Sequence, residues 1–198
     1  MRRTGLSARD RHVLEIGFGG GATLSWLRQQ GAVVYGQEVV ESNRAVARGL
    51  GIPPDHLKAD LSEFEGVFFD LVLYLDVFEH ILDARAQLNL LAKLTRKGCR
   101  ALLVLPVADS LSRQLLGGLW PHDLPDHWIF YSCQGLTSLW AEFGWHEVKR
   151  FYPWKFISAD TVARHLSLKA GRPIPTFGLG QVGFWLNFGE RGFVFERR

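Results

Sequence analysis

The chain has 198 residues, 47% hydrophobic and 22% charged, proportions of a single folded domain rather than a disordered tail. Its net charge of +3 is too small to argue for nucleic acid, and Arg2, Arg3, Arg9, Arg11, Arg197 and Arg198 put some of the excess at the two ends. It has no run of about 18 uncharged apolar residues and no apolar leader before Asp10 and Arg11, so neither a membrane span nor a secretory signal is expected.

The first half alternates strand and helix patterns. Residues 12–16 make a short strand candidate that runs into Gly17-Phe18-Gly19-Gly20-Gly21, and a helix over 22–30 follows, stopped by Gly31. A buried strand over 32–37 ends at Glu38. A helix over 43–50 and a brief strand over 56–59, ending at Asp60, come next. Residues 68–75 form the longest apolar run and fit a central parallel strand. Ala84, Leu88, Leu91 and Leu94 recur at helical spacing, predicting a helix that stops near Gly98, and residues 100–105 form a further strand ended by Pro106. Such alternation with short loops implies an α/β fold: a Rossmann-like, doubly wound, mainly parallel seven-stranded sheet with helices on both faces.

After Pro106 the rhythm changes. A Leu-rich stretch over 109–116 is a candidate helix, and 117–126 is an irregular loop. Ser132 is a plausible N-cap for a helix reaching Phe143, closed by Gly144. A strand over 145–151, a helix over 159–170, a turn-rich 171–175 and strand material over 184–188 and 192–196 complete the chain. Six of the seven tryptophans lie in the last 80 residues, so the second half carries the bulky surfaces. With no repeat or long linker, residues 1–198 are read as one domain.

The glycine loop lets backbone amides and a helix N-terminus approach a ligand. Gly17, Gly19 and Ala22 also satisfy the looser dinucleotide fingerprint, so the glycines alone do not choose the ligand. Glu15 chooses. A carboxylate at the end of the first strand would repel a pyrophosphate, but it would attract a ligand bearing an ammonium and a sulfonium. Residues 13–21, Val-Leu-Glu-Ile-Gly-Phe-Gly-Gly-Gly, resemble the first motif of class I S-adenosylmethionine (SAM)-dependent methyltransferases. Three further stretches match in order. Glu38 resembles the acid that holds the ribose hydroxyls, Asp60 resembles the acid that receives the adenine amino group, and 69–80, ending Glu79-His80, resembles the fourth-strand segment.

The resemblance covers about the first 105 residues. It implies that Glu15, Gly17, Gly19, Gly21, Glu38, Val39, Asp60, Leu61, Leu75 and Asp76 bind SAM, with Val39 packing on the adenine. One departure is Arg96-Lys97-Gly98-Cys99, where the family often has Lys-Pro-Gly-Gly. More weakly, residues 126–132 and 143–145 resemble the small-molecule and lipid-precursor subgroup that includes ubiquinone-type O-methyltransferases.

Methyl transfer to a hydroxyl needs alignment and removal of a proton. His80 and His127 are placed to act as that base, and each has a plainer reading as a turn or helix brace. Trp120, Trp128, Tyr131 and Trp154 are the candidates for an acceptor pocket, with core packing as the alternative. His122, Asp123, Asp126 and His127 could ligate a metal, but polar residues before a helix are commoner than metal sites, and no metal is assigned. Cys99 and Cys133 form no disulfide framework and suggest a reducing cytoplasm. The expected function is methyl transfer from SAM to a small-molecule acceptor, O-methylation favoured, in a monomer or homodimer. The competing readings are an NAD(P)-dependent oxidoreductase and a non-catalytic SAM-binding protein. Only about eleven residues precede the first strand, so segments 106–131 and 152–183 are expected to cover the acceptor instead.

Overall fold

The strands and helices follow the predicted order in a computed structural model that describes residues 6–173, 175 and 182–198. The elements are β1 (His12–Ile16), α1 (Ala22–Gln29), β2 (Val33–Gln37), α2 (Glu41–Gly49), β3 (Leu57–Lys58), β4 (Phe69–Leu75), α3 (Ala84–Lys93) and β5 (Thr95–Pro106). Then come α4 (Leu111–Leu116), α5 (Cys133–Glu142), β6 (Trp145–Phe151), β7 (Lys155–Ser158), α6 (Ala159–Ala170), β8 (Gly183–Leu186) and β9 (Glu190–Arg197).

Seven strands form one sheet in the order β3-β2-β1-β4-β5-β9-β6. The pairs from β3 to β5 are parallel, and β9 enters antiparallel between β5 and β6. β6 therefore runs with β5, and the start of β9, where Glu190 pairs with Pro106, lies at the edge where the parallel strands end.

Both faces of this sheet are covered, which is why its central strands are apolar at nearly every position. Leu14, Val72, Tyr74, Leu103, Phe193 and Phe195 point to one core, which α3 and α5 close with Leu88, Leu91, Leu136 and Trp140. Val13, Leu71, Leu73, Leu102 and Val194 point to the other, closed by Leu24 and Leu27 of α1 and Ala47 of α2. Successive residues of one strand thus serve opposite cores.

Two elements differ from expectation. The helix predicted to run to Gly98 stops at Lys93, because Thr95 donates its hydroxyl to the Leu91 carbonyl at 2.7 Å and the chain turns at once into β5. β5 then spans 12 residues, with a register shift between its Thr95 and Arg100 pairings on β4. Residues 183–186 do not join the main sheet. They pair antiparallel with β7, a strand the sequence reading lacked, as a separate two-stranded ribbon. Arg2 and Arg3, and residues 174 and 176–181 of the expected second cover, lie outside the described residues. No helix among the described residues is long and apolar enough to cross a membrane.

Candidate active site

The loop after β1 adopts left-handed backbone at Gly17, Gly19 and Gly21, with φ of 63, 53 and 77°. Gly21 caps α1 with no side-chain hydrogen bond, which leaves the first amides of that helix available to a ligand. Nothing lies within 4 Å of where a Cβ on Gly19 would stand, so that glycine borders open space. Glu15 lies beneath the loop, 3% exposed. Thr23 hydrogen-bonds to its carboxyl, while Oε2 has no partner among the described residues. Burial pushes the Glu15 pKa up to about 8, against the smaller lowering by Thr23. Without a cation beside it, Glu15 is mostly neutral at pH 7. This amends the sequence picture of a standing negative charge.

Glu38, at the end of β2, is held toward the same loop. Its Oε2 accepts from the Gly19 amide and its Oε1 from the Val40 amide, each at 2.9 Å. A carboxylate has about four acceptor positions, so both oxygens keep room for a further donor. Asp60 caps the short turn after β3 by accepting from the Ser62 amide at 2.8 Å through Oδ1, and the Ser62 bonds hold its pKa low. Leu61 is 3% exposed, so its side chain belongs to the core and only its backbone can meet a ligand. Val39 is 73% exposed beside Glu38. Asp76, to which the resemblance gives a cofactor role, also carries an ion pair. It stands just past Leu75, the last residue of β4, at φ 55°, and its Oδ2 pairs with Lys155 Nζ at 2.5 Å.

The two histidines read from the sequence meet here. The rings of His80 and His127 lie 4.7 Å apart, edge to face. His80 Nδ1 is 2.6 Å from the Asp126 carbonyl, an acceptor, so Nδ1 carries a proton and donates it to that bond. The His127 ring hydrogen-bonds to the His122 backbone, leaving its buried Nδ1 without a partner among the described residues. Burial, and then the neighbouring His80, lower the His127 pKa, which keeps this imidazole neutral at pH 7.

Glu79 was quoted in the motif but not singled out. It is fully buried, neither carboxyl oxygen has a partner among the described residues, and burial pushes its pKa up to about 8. Its carboxyl lies with the two imidazoles, the three ligand atoms all within 4.8 Å of one another. A metal ion about 2.1 Å from each ligand needs pairs no more than about 4.2 Å apart, so an ion would have to draw them in. Lys155 and Glu190 were missed as well, because nothing in the sequence near them signals a site.

The aromatic candidates divide. Trp128 and Trp154 are exposed and free to border an acceptor. Tyr131 leans on Phe78 at 5.4 Å and is partly core. Trp120 departs from expectation: it is 1% exposed, and its Nε1 donates to the Phe188 carbonyl at 2.7 Å. It is a cross-brace, with its ring centroid 5.1 Å from that of His122.

Comparison with known proteins bears on these arrangements. Residues 2–149 match the family described as methyltransferase domain. Ubiquinone biosynthesis O-methyltransferases of Ruegeria sp. (strain TM1040) and Dinoroseobacter shibae are 35% and 36% identical over 92 residues. Each match takes in 43% of this chain and 37% of the relative, so the aligned part spans well under half of those proteins. Magnesium protoporphyrin IX methyltransferase from Synechocystis PCC 6803, solved with SAH bound, superposes with a TM-score of 0.60 at 19% identity, over 96% of this chain and 76% of that one. A putative methyltransferase from Bacillus halodurans C-125 gives 0.67 at 15%, over 100% and 96%. At such identities the likeness shows the fold.

Proposed function

The chain belongs to the methyltransferase-domain family, and from that premise we propose that it transfers the methyl group of SAM to a small-molecule acceptor, with a hydroxyl favoured as the receiving group. The observation that carries this reading is Glu15, a buried carboxyl with an unpartnered oxygen under a glycine loop. That arrangement fits a cationic cofactor, whose charge would pair with the carboxyl as it ionises, whereas a pyrophosphate offers it no such partner.

In this reading Glu15 ionises on pairing with the cofactor's ammonium, and Glu38 accepts from its ribose hydroxyls. Asp60 and the Leu61 backbone face its base, while Val39 and Leu75 offer apolar contact. When bound, the cofactor supplies a methyl already activated on a sulfonium, so the protein has to align the acceptor and take its proton. His127 is the base that takes that proton, and His80 stands 4.7 Å away with its Nδ1 held by the Asp126 carbonyl. Trp128 and Trp154 border the acceptor, and Trp120 and Tyr131 back it. Segment 106–131 and the described part of 152–183 cover it. A cytoplasmic setting, a monomeric or homodimeric state and no nucleic-acid partner belong to the same proposal.

Thermal unfolding with each ligand tests it. SAM and SAH are expected to raise the Tm, by mass action, while NAD leaves it unchanged. A rise with NAD and none with SAM would sink the reading. Once an acceptor is found by methyl-donor turnover across phenols, amines and fatty acids, His127→Ala is expected to lower kcat by about 10²-fold with SAM affinity kept.

A further inference from the structure

The two expected covers meet at the turn that opens β9. Ser112 Oγ and Trp120 Nε1 both donate to the Phe188 carbonyl, at 2.6 and 2.7 Å, so the 106–131 segment is held to that turn. The chain after β6 is held to it as well. Asn187 Nδ2 donates to the Pro153 carbonyl at 2.6 Å, and the Arg191 guanidinium lies 3.8 Å over the Tyr152 ring. One side chain then bridges from the ribbon to the cofactor half. Lys155 Nζ, on β7, sits 2.7 Å from Glu190 Oε1 and 2.5 Å from Asp76 Oδ2. The Glu190 side chain is only 4% exposed, and His122 of the first cover approaches the same oxygen at 3.7 Å.

Charge makes this contact more than a surface ion pair. Burial works against the Lys155 ammonium, but Asp76 and Glu190 outweigh it and hold its pKa above the usual value. Without the ammonium, the Asp76 and Glu190 carboxyls would be left near each other with no cation between them, an arrangement far costlier than an empty surface site. Asp76 holds a left-handed backbone, uncommon for a non-glycine residue, at φ 55°. Lys155 holds the Asp76 side chain, while the Asp76 amide donates to the Val104 carbonyl at 2.8 Å.

We propose that Lys155 is a positioning residue: it joins the two covers into one unit and ties that unit to the cofactor end of β4. What the covers enclose rests on the methyltransferase reading, whereas the link itself belongs to the ligand-free protein. Hydrogen exchange read by mass spectrometry on the ligand-free wild type, Lys155→Met and Lys155→Arg tests it. Lys155→Met is expected to speed exchange about fivefold or more in peptides from both 106–131 and 152–163, with β1, β4 and β5 unchanged. Lys155→Arg, which keeps a cation between the two acids, is expected to restore protection in both segments. Faster exchange confined to 152–163, or equal in the sheet, would overturn the proposal, as would failure of the arginine to rescue. Should Lys155→Met not fold, Lys155→Gln is read by the same criteria. SAH binding to the wild type, measured in parallel, reports on the methyltransferase reading alone and leaves the exchange result standing.

Discussion

At Glu15, burial and the charge of a ligand compete for one proton. Its pKa in the folded protein, about 8, lies above the unfolded value of 4.5. Between those limits the folded state holds the proton more tightly, so the ligand-free protein loses stability as pH rises through that window, and Glu79 adds a loss of the same sign. A cationic cofactor reverses the preference by favouring the ionised carboxylate. Affinity for SAM is therefore expected to rise from pH 6 to about 8, by at most about tenfold per pH unit, and then to level off. Calorimetric titration in buffers of different ionisation enthalpy should show proton release at pH 7, and Glu15→Gln should abolish it. A wild-type affinity flat from pH 6 to 9 would place the cofactor's charge away from Glu15. The sequence made Glu15 conspicuous beside its glycines. It could not show that the carboxyl is neutral when unpaired, because burial depends on what α1 and the sheet exclude.

On the scale of the element, the glycine loop shows how one motif holds different constraints. All three motif glycines have positive φ, but their surroundings differ. A Cβ on Gly17 would stand 2.6 Å from Val77, and one on Gly21 2.9 Å from Ala47 of α2, whereas Gly19 borders open space. Gly17→Ala is thus expected to destabilise the fold, by strain and overpacking together worth about 2–4 kcal/mol, read by denaturant unfolding. Gly19→Arg should cost about 1–2 kcal/mol in backbone strain yet abolish SAM binding, since its side chain occupies the crevice. Equal loss of stability in the two variants, with binding kept in Gly19→Arg, would place the ligand elsewhere. The motif is legible in the sequence. Which glycine guards a neighbour and which guards a ligand is not, because Val77 and Ala47 arrive from distant elements.

Across the whole molecule, two cores share one sheet, and the aromatic second half builds much of one of them. Trp140 of α5 is fully buried, stacked on Phe195 of β9 at 4.8 Å and set edge-on to Tyr74 of β4 at 5.9 Å. It joins the last helix of that face to an early and a late strand. Trp140→Ala is expected to cost about 3–5 kcal/mol, from lost burial and the cavity left behind. Because β4 and β9 also send residues to the opposite core, the loss should appear as one cooperative transition at lower denaturant. Two separated transitions in this variant would mean that the faces fold independently.

The amino-acid sequence by itself determined the parallel scaffold and the acids and glycines of its candidate cofactor edge. Period and punctuation are local: apolar runs such as 69–75, the glycine loop and the acids Glu15, Glu38 and Asp60 each fall within or just beyond one element. They could be read without knowing what packs against them. Strand β7, with no period-two pattern of its own, exists only because residues 183–186 pair with it, and β9 reaches its place by closing on β5 and β6. The tertiary structure alone decided that His80 and His127 would meet, that Glu79 would lie buried beside them, and that Lys155 would find Asp76 across 79 residues of chain. Such meetings depend on how distant segments pack, and no spacing in the sequence records them.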